Sequence, residues 1–482
     1  MVGILAYGAY VPRLRLQRSA VVNSVAWFNQ GLAAHAKGER ALCGWDEDTI
    51  TMAVEASRDC LTDIDRASIG KVLLASTTLP FADRQNAGVI KEALNLSNLT
   101  SVMDITGSQK AATSALITAC ETAGEQQVLC VASEHAIAKP ASESELTNGD
   151  AAAAMLIGEG DTVADFLGSH STTIDFVQQF RASDSQHTFA WEGRWVRDEG
   201  YMKIVPETIK TALAKFDIEA SAVDHFIMAS PTRGIDQAMA KASGITKESI
   251  CDSLQGNLGN SGSAHPLVLL ASVLENAKPG QTILVVSFGQ GCDVTAFRVT
   301  ENISKLQGAM GVSGWLARRE PEANYIKHLY WAGELKLDGG IRSELDLTTP
   351  LSMLYRERKT ILGLIGGKCR ETGTVQFPKS EVSVAQNARM VGTQDDYPLA
   401  DIPARVVTFT ADRLAFSQAP PNCYGMVEFD GGGRMVADFS DVDEEGMQVG
   451  QTVRMMFRLK RNDQREFKHY FWKAVPDYRP AN

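Results

Sequence analysis

Three side chains that can do chemistry lie at the starts of helix-like segments or beside a glycine-rich loop, and a fourth lies in a stretch rich in Trp, Arg and acidic residues. Lys110 is the second residue of a helix in GSQKAATSALITACETAG, where it is either a desolvated amine nucleophile or an exposed lysine. His265 opens a second helix, in GNSGSAHPLVLLASVLENAKPG, and either faces a cavity or packs and caps the helix. Cys292 directly follows SFGQG and is either a reactive thiol or a small buried hydrophobe. Arg194 lies in WEGRWVRDEGY, which either holds a phosphate or adenine or is an ordinary structured loop.

The cysteines favour buried free thiols over disulfides or a metal site. The chain has eight, none of them in a CxxC pair, and four lie in apolar stretches typical of helix or strand. That usage fits a reducing compartment. A structural zinc site needs four ligands at paired spacing. Cys369 in GGKCRETGT has Thr372 where its pair would stand, and residues 380–386 contain no cysteine, so we predict no metal site and a metal-free docking element.

The composition argues against several classes of protein. The chain has 482 residues, 44% of them hydrophobic and 22% charged, which is ordinary globular composition. Its net charge of −11 argues against nucleic acid as a partner. No apolar run approaches the roughly 18 residues of a membrane-spanning helix. The first residues, MVGILAYGAYVPRLRL, lack the basic region and cleavage site of a secretory signal, so we expect a cytoplasmic protein with no membrane contact.

A repeat with one constant offset organises the first three hundred residues. The string VLLAS ends at Ser76 and FIMAS ends at Ser230, which is 154 residues later. VLCVAS ends at Ser133 and ILVVS ends at Ser287, again 154 residues later. A segment rich in small residues lies between the two strings in each half. We therefore predict an internal duplication, with halves at 1–165 and 166–300.

The repeated strings predict the elements that position these side chains. The apolar strings do not alternate with polar residues, as expected for strands covered on both faces. The intervening helices repeat Ala, Ser and Gly around the whole helix, so they can be buried between two sheets. Residues 301–355 are predicted to be a partly helical connector. Residues 356–482 alternate apolar and polar residues around a Gly-rich hairpin, which predicts a small all-β barrel.

The motifs GILAYGAYVPRLRL, DEDTITMAVEA, NGDAAAAMLIGEG, GNSGSAHP and SFGQG resemble the thiolase superfamily and, within it, the 3-hydroxy-3-methylglutaryl-CoA synthases. The resemblance covers about residues 1–300 and implies an α/β protein with a duplicated five-layer αβαβα thiolase fold, usually a homodimer. The C-terminal third resembles the OB-fold acyl-CoA-associated proteins that accompany thiolases, and GGKCRETGTVQFPKS resembles a degenerate form of their zinc ribbon. A duplicated thiolase fold followed by a small OB-fold barrel is therefore expected.

The resemblance places Gln109 where the family carries its nucleophilic cysteine, at the start of the first central helix. A helix N-terminus lowers the pKa of a thiol and offers backbone N–H groups to an oxyanion. Glutamine cannot form an acyl-enzyme, but its amide can donate a hydrogen bond to a thioester or enolate oxygen. A shift of one residue would instead make Ser108 the nucleophile, which would need a base beside it.

Two further condensation residues of the family are missing at their expected places. The general-base glutamate falls at Thr77 or Thr78, and the histidine falls at Ala229. His135 in SEHA and Asp150 in NGD are expected to be structural. The condensation machinery of the family is thus predicted to be absent.

Other parts of the family's site are retained. Asn260 in GNSGSA matches an asparagine that polarises the thioester carbonyl. Gly289, Gln290 and Gly291 match the loop whose backbone N–H completes the oxyanion hole. An oxyanion site without a thiol would still stabilise an enolate.

Three functions fit these expectations. The favoured one is an enzyme that makes or breaks a C–C bond in an acyl-CoA or acyl-carrier thioester through an enolate, without an acyl-enzyme, as in retro-aldol cleavage or decarboxylation. The second is a non-catalytic protein that binds acyl-CoA or docks a thiolase or ketosynthase. The third is a true 3-hydroxy-3-methylglutaryl-CoA synthase in which Ser108 or Cys292 replaces the thiol. We expect no tightly bound cofactor, with a coenzyme A thioester as substrate or ligand.

Overall fold

A computed structural model describes residues 1–124, 126–306, 308–339, 348–385, 389–443 and 445–477. The chain forms two compact units. Unit 1 contains residues 1–44, 48–88 and 97–334, and unit 2 contains residues 45–47, 89–96 and 335–482. The three boundaries between the four segments expected from the sequence stay predictions. Positions 307 and 340–347 of the predicted connector lie outside the described residues.

The described helices and strands are numbered in chain order. The α-helices are α1 Arg18–Val25, α2 Thr49–Cys60, α3 Asn86–Ala93, α4 Ala111–Thr122, α5 Glu143–Thr147, α6 Gly193–Trp195, α7 Met202–Phe216, α8 Ile235–Ser243, α9 His265–Leu274, α10 Gly311–Ala317, α11 Tyr325–Trp331, α12 Leu351–Arg356 and α13 Arg358–Gly363. A π-helical turn, Val196–Tyr201, joins α6 to α7, and 3-10 turns lie at Gln30–His35, Arg66–Ser68, Ala220–Ala222, Lys247–Ser249, Gly262–Ala264 and Glu301–Lys305.

The strands of unit 1 are β1 Val2–Tyr10, β2 Leu14–Gln17, β3 Glu39–Leu42, β4 Ile69–Ala75, β5 Ser101–Ile105, β6 Gln127–Glu134, β7 Ala151–Glu159, β8 Ala164–Thr173, β9 Gln179–Phe180, β10 Phe189–Ala190, β11 His225–Ala229, β12 Thr282–Phe288, β13 Gly291–Val299 and β14 Glu320–Glu322. Those of unit 2 are β15 Ile365–Cys369, β16 Val375–Gln376, β17 Gln394–Pro398, β18 Ala404–Val406, β19 Thr410–Asp412, β20 Asn422–Phe429, β21 Arg434–Asp438, β22 Thr452–Asn462 and β23 Lys468–Pro476.

The sheet of unit 1 carries the predicted duplication. Its nine strands run in the order β11-β12-β13-β8-β1-β7-β6-β4-β5. The repeated apolar strings form β4 beside β6 in one half and β11 beside β12 in the other, and both pairs are parallel. The halves meet where β1 and β8 pair through Gly3–Asp165 and Ile4–Ala164. Because both pairs bury apolar residues on both faces, the prediction of covered parallel strands is confirmed.

The two small-residue helices form the central layer, as predicted. Helix α4 contacts β4 and β6 of the first half and β13 of the second, and it also contacts α9. Helix α9 contacts β7 and β1 on one side and β11 and β12 on the other. Helix α4 consists mostly of small residues, as predicted, whereas α9 is mostly leucine and valine because most of the Gly and Ser residues of its string precede the helix. Both helices are largely buried. The α/β layered fold is therefore confirmed, and the start of each central helix lies between the halves.

Unit 2 contains the predicted all-β region. Strands β15, β16 and β17 form a small antiparallel sheet, and β18 to β23 form a second, six-stranded sheet in the order β19-β20-β18-β22-β23 with β21 beside β20. The predicted Gly-rich hairpin is the β20–β21 connection, closed by the Glu428–Arg434 pair. Three glycines with positive φ, residues 431–433, make this turn.

Short segments from early in the chain belong to unit 2. The Lys473 ammonium lies 2.9 Å from the Asp46 carboxylate and 4.0 Å from the centre of the Trp45 ring. Arg458 is fully buried, and its guanidinium lies 3.2 Å from Glu47. Buried charges need such partners, so these segments are part of the core of unit 2.

No helix among the described residues is both long enough and apolar enough to span a bilayer.

Candidate active site

The candidate site is centred on the turn before α4, where the loop 289–291 lies against Gln109. A Cβ added at Gly289 would lie 2.8 Å from the Lys110 nitrogen and 3.1 Å from the Gln109 nitrogen, which leaves room only for glycine. The Ser108 hydroxyl donates a 2.9 Å hydrogen bond to the Gly289 carbonyl oxygen. The loop is thus held directly on the turn that begins the first central helix.

Two backbone N–H groups at this turn have no acceptor among the described residues. The Gly289 N–H is used within the loop, since it donates to the Gly291 carbonyl at 3.0 Å. Gln290 adopts a left-handed backbone with φ of 54°. Within the described parts of the chain, neither the Gln109 N–H nor the Gln290 N–H donates to a protein acceptor. Two such donors beside a helix N-terminus are what an oxyanion requires.

A buried carboxylate, Glu134 at the end of β6, lies beside this turn. Its Oε1 accepts a 2.7 Å hydrogen bond from the Thr77 hydroxyl, and its Oε2 accepts a 3.0 Å bond from the Thr77 N–H. The Ser263 hydroxyl also donates to Oε2. All of these groups donate hydrogen bonds, and the carboxylate oxygens accept them. Glu134 is therefore fixed in one orientation although it is almost completely buried.

Gly262 brings Glu134 and Gln109 together. A Cβ at Gly262 would lie 3.4 Å from the Gln109 amide oxygen, 3.1 Å from Glu134 Cγ and 3.6 Å from the Glu134 carboxyl carbon. Gly262 also has a left-handed backbone, with φ of 51°. The glycine thus lets a carboxylate and an amide approach the same small space at the start of α4.

Glu134 was not predicted, because the family resemblance places the general base at Thr77 or Thr78. Strands β4 and β6 are parallel neighbours, and Ala75 pairs with Ala132. Thr77 and Glu134 each lie two residues beyond that pair, so they reach the same level at the carboxyl edge of the sheet. The available signal was a charged residue directly after the buried string VLCVAS.

Asn260 is held with its amide group oriented. Its backbone N–H donates to Thr147 at 2.8 Å, and its carbonyl accepts from Gly149 at 2.9 Å. Its side-chain Oδ1 accepts a 2.8 Å hydrogen bond from the Gly262 N–H. Because Oδ1 is the acceptor, the NH₂ end is the donor that remains for another group. This geometry suits the predicted role of polarising a carbonyl.

His265 is placed differently from the catalytic role considered for it. Its ring is fully buried, Nδ1 lies 3.1 Å from the Ser261 hydroxyl, and Nε2 lies 3.0 Å from the Ser253 carbonyl oxygen. Burial lowers its pKa to about 4, despite the opposing effect of the Ser253 carbonyl. Both ring nitrogens are engaged, so His265 packs against the 261–264 turn and positions it.

The two alternative nucleophiles, Cys292 and Lys110, are also unsuited to attack. Cys292 is fully buried, and burial raises the pKa of its thiol strongly. Lys110 is buried, so the alternative of an exposed lysine is wrong. Its ammonium lies 2.8 Å from Asp293. Thr113 and Ser114 donate to the other Asp293 oxygen at 3.0 and 2.8 Å. An ammonium held in such an ion pair has no free lone pair.

Arg194 is exposed in the helical turn that precedes α7. Its backbone N–H donates a 2.9 Å hydrogen bond to Glu192, which caps the turn. The structure therefore places Arg194 at the surface and does not bring it into contact with Gln109 or Glu134.

Cys43, His135 and Asp150 bring ligand-type atoms within 4.8 Å of one another. Asp150 accepts a 2.8 Å hydrogen bond from the Cys43 N–H and lies 3.1 Å from His135 Nδ1. Burial alone would raise the pKa of Asp150, but His135 and the buried Arg40 guanidinium hold it below its usual value. Since Arg40 already balances the carboxylate, a metal cation would meet a positive charge, and we assign this cluster a structural role.

Comparisons with known proteins agree with this architecture. Residues 213–300 match the family model described as the C-terminal part of 3-oxoacyl-[acyl-carrier-protein] synthase III, and residues 397–458 match the C-terminal OB-fold domain of ChsH2. The hydroxymethylglutaryl-CoA synthase of Thermococcus onnurineus is 31% identical over 306 residues, which cover 62% of this chain and 86% of that protein. The corresponding synthase of Methanocaldococcus jannaschii is 27% identical, with coverage of 70% and 100%.

A similar fold occurs in a crystal structure of HMG-CoA synthase complexed with CoA. The TM-score is 0.60, the identity is 17%, and the match covers 72% of this chain and 94% of that one. Fold and site together define a thiolase-superfamily protein with an added OB-fold domain. Within that class, the chain belongs to the hydroxymethylglutaryl-CoA synthase family. The resemblance predicted from the motifs is confirmed.

Proposed function

We propose that this protein binds an acyl-CoA thioester and makes or breaks a C–C bond through a thioester enolate, without a covalent acyl-enzyme. A carboxylate, Glu134, and an amide, Gln109, share the space at the start of α4 where the family would carry a thiol. That juxtaposition is the observation that carries the proposal. The N–H groups of Gln109 and Gln290 would receive the thioester oxygen.

In the cleavage direction, the substrate would be a β-hydroxyacyl thioester. Glu134 takes the proton of the β-hydroxyl group, the bond between Cα and Cβ breaks, and the β-carbon leaves as an aldehyde or ketone. The electron pair of the broken bond passes into the thioester enolate, whose oxygen the two N–H groups stabilise. Glu134 then returns its proton to Cα. The reverse sequence forms the bond.

A malonyl-type thioester, which carries a carboxylate on Cα, would give the same enolate by losing carbon dioxide. The electron pair of the Cα–CO₂ bond passes into the enolate, and a proton delivered to Cα completes the reaction. Asn260 would donate its amide N–H to the same carbonyl. Both reactions therefore need a proton carrier and an oxyanion site and no nucleophile.

The acyl-enzyme route finds no suitable attacker in the site. Ser108 already donates to the Gly289 carbonyl, and Cys292 is buried with a raised thiol pKa. The Glu134 carboxylate, which lies beside Gln109, accepts hydrogen bonds from Thr77 and Ser263 and does not contact Ser108. This argues against a true synthase that uses Ser108 or Cys292.

The ligand, oligomer and location follow from the same proposal. Related structures hold CoA or, in the case of MvaS, 3-hydroxy-3-methylglutaryl coenzyme A, which supports a coenzyme A thioester as ligand here. We propose a homodimer in the cytoplasm. Sedimentation velocity of the purified chain tests the dimer, and a single monomeric species would contradict it.

The decisive variant is Glu134→Gln, which keeps the shape of the side chain and removes its ability to carry a proton. Turnover of β-hydroxyacyl-CoA and malonyl-type CoA substrates is followed by release of aldehyde, ketone or carbon dioxide. Loss of a general acid–base group lowers kcat about 10²- to 10⁴-fold, with little change in KM. Glu143→Gln, at an exposed carboxylate in α5, is the matched control and keeps full activity.

Full activity in Glu134→Gln, with the control also active, would rule out this role of the carboxylate. If the unmodified protein binds CoA thioesters and releases no product from either substrate class, a binding role would replace the enzymatic one.

The Gln109→Cys variant restores a thiol at the helix N-terminus. Incubation with acetyl-CoA followed by intact-mass spectrometry is expected to show one added acetyl group in the variant and none in the unmodified protein. An acetyl adduct on the unmodified chain would show that an acyl-enzyme forms elsewhere and would overturn the proposal.

A further inference from the structure

An aromatic segment, residues 174–195, runs from one wall of the candidate site to another. At its start, the Ile174 N–H donates a 3.2 Å hydrogen bond to the Gln290 carbonyl. The Phe176 ring then lies 5.9 Å from the ring of Phe288, the residue before the oxyanion loop. Further along, the Arg181 guanidinium donates to the Thr77 carbonyl. The segment is therefore fixed to both the loop and the strand end that surround Gln109.

The rings of this segment form a continuous series that starts at the site. Trp195 stacks on Phe176 at 4.3 Å, and Trp191 lies 6.4 Å from Trp195. Phe189 lies 6.2 Å from Trp191 and 5.4 Å from Phe180. Aromatic rings at such spacings form a firm apolar wall. This wall extends outward from Phe176, which is itself in contact with the loop side of the site.

The wall lines an open surface cavity of about 560 Å³. Its lining consists of Val177, Gln179, Phe180, Phe189, Trp191 and Trp195. Ligand cavities in proteins have volumes of about 300–1,000 Å³ and are mostly apolar with a few polar groups. Gln179 is the single polar residue in this lining, and Trp191 is 56% exposed. Exposed aromatic surface of this kind marks a site that is covered by something else.

We infer that this cavity binds the acyl group of the thioester, and that the acyl group is large, apolar and ring-bearing. This inference rests on the proposed function and names the substrate class of that site. The lining contains no cation for a phosphate and almost no partner for the polar amides of pantetheine, so the CoA part does not fit it. Flat aromatic faces favour a ring over a short polar chain.

A second copy of the chain is the competing occupant of the aromatic surface. The segment that lines the cavity is fixed to the residue before the oxyanion loop through Phe176 and to Thr77 through Arg181, which favours a ligand that also reaches those groups. A protein partner would need only the outer aromatic faces and no relation to the site.

The test is direct binding of unreactive CoA ketones, in which a methylene separates sulfur from the carbonyl. One analogue carries an acetyl-sized group and the other a naphthyl-bearing group, and both are titrated by calorimetry. Each methylene-sized group moved out of water tightens binding about fourfold. The naphthyl analogue is therefore expected to bind at least about 50-fold more tightly than the acetyl analogue, and to quench tryptophan fluorescence in the unmodified protein.

The variants Phe189→Ser and Trp191→Ser are expected to reduce this ratio to below about threefold and to leave the Kd of the acetyl analogue unchanged within about twofold. Trp27→Ser is the matched control, because Trp27 is also exposed and contacts another ring, that of Phe28. It should leave the ratio intact.

Equal binding of the two analogues, or a ratio that survives both cavity variants, would overturn the inference. Loss of a dimer in the cavity variants without any change in the ratio would assign the surface to a second copy and would also overturn it. The titration requires no turnover, so a high ratio without product release would contradict the proposed function and leave the cavity assignment standing. Product release together with a ratio near one would support the proposed function and contradict the cavity assignment.

Discussion

At the residue scale, the side-chain amide of Gln109 determines which atoms of the site can react. Gln109 stands at a helix N-terminus, the position that would activate a thiol, but its side chain can only accept and donate hydrogen bonds. In the proposed function, catalysis therefore depends on groups that carry protons or bind anions. Glu134 is the carboxylate that lies beside this amide, and the N–H groups of Gln109 and Gln290 are the anion-binding groups.

His265 makes folding sensitive to acid. Its pKa is lowered to about 4, chiefly by burial, from an unfolded value of about 6.5. Between these two pH values the unfolded chain binds a proton that the folded chain does not, so stability falls as pH drops from about 6.5 to about 4. The loss is on the order of a few kcal/mol. Above pH 6.5, this residue makes no pH-dependent contribution.

The variant His265→Gln isolates this effect, since glutamine can bond to Ser261 and Ser253 without titrating. Urea unfolding at pH 7, 5.5 and 4.5 is expected to show a shallower decline in unfolding free energy for the variant than for the unmodified protein. Equal slopes in the two proteins would show that His265 does not titrate between the folded and unfolded states in this range.

The sequence predicted which residues line the turn before α4 but not which ones they meet. Gln109, Asn260 and the loop 289–291 were identified because a motif fixes their place along the chain. Glu134 was missed because its relation to Thr77 exists only across two parallel strands. Lys110 could not be assigned from sequence, because its partner Asp293 is 183 residues away in the chain.

At the element scale, a buried ion pair joins the first central helix to the sheet of the second half. Lys110, at the N-cap of α4, meets Asp293 on β13 at 2.8 Å, and both side chains are almost completely buried. Removing one partner of a buried pair leaves an uncompensated charge and costs about 3–5 kcal/mol, whereas replacing both by apolar residues costs much less. The pair therefore fixes where α4 begins, and with it Gln109.

The double-mutant cycle of Lys110→Met and Asp293→Leu tests this junction. Each single variant is expected to lose about 3–5 kcal/mol of unfolding free energy, and the double variant is expected to lose less than either. Asp198→Asn, in an exposed ion pair with Arg197, is the control and should change stability by less than about 1 kcal/mol. Additive losses in the cycle would show that the two charges do not depend on each other.

The elements themselves were well predicted from the sequence. The constant offset between apolar strings identified β4, β6, β11 and β12, because buried parallel strands leave a continuous apolar pattern. The short hairpin β9–β10 and the aromatic cavity beside it were not predicted. Residues 179–190 gave no prediction, and residues 191–201 left open a phosphate- or adenine-binding stretch or an ordinary loop, since exposed aromatic rings follow neither a helical nor a strand period.

At the scale of the whole molecule, neither compact unit is one continuous stretch of the chain. Unit 2 combines residues 335–482 with the short segments 45–47 and 89–96. The sequence predicted an OB-fold region in the last third, and the structure and comparisons confirm it. Its dependence on early residues was not predicted, because Trp45, Asp46 and Glu47 follow the pattern of unit 1 in the sequence.

This arrangement predicts that one substitution will have opposite effects in two versions of the chain. In the full chain, Lys473→Met leaves Asp46 buried without its cation, and the loss of unfolding free energy is expected to be about 3–5 kcal/mol. In a fragment of residues 335–482, Asp46 and Trp45 are both absent, so Lys473 loses both its anion and the ring that covers it. The same substitution should then raise the unfolding midpoint of the fragment, measured by chemical denaturation and circular dichroism.

Lys460→Met, at a more exposed lysine of β22, serves as the control in both versions and should shift neither midpoint appreciably. Destabilisation of both versions by Lys473→Met would show that the early segment is not an essential part of the core of unit 2.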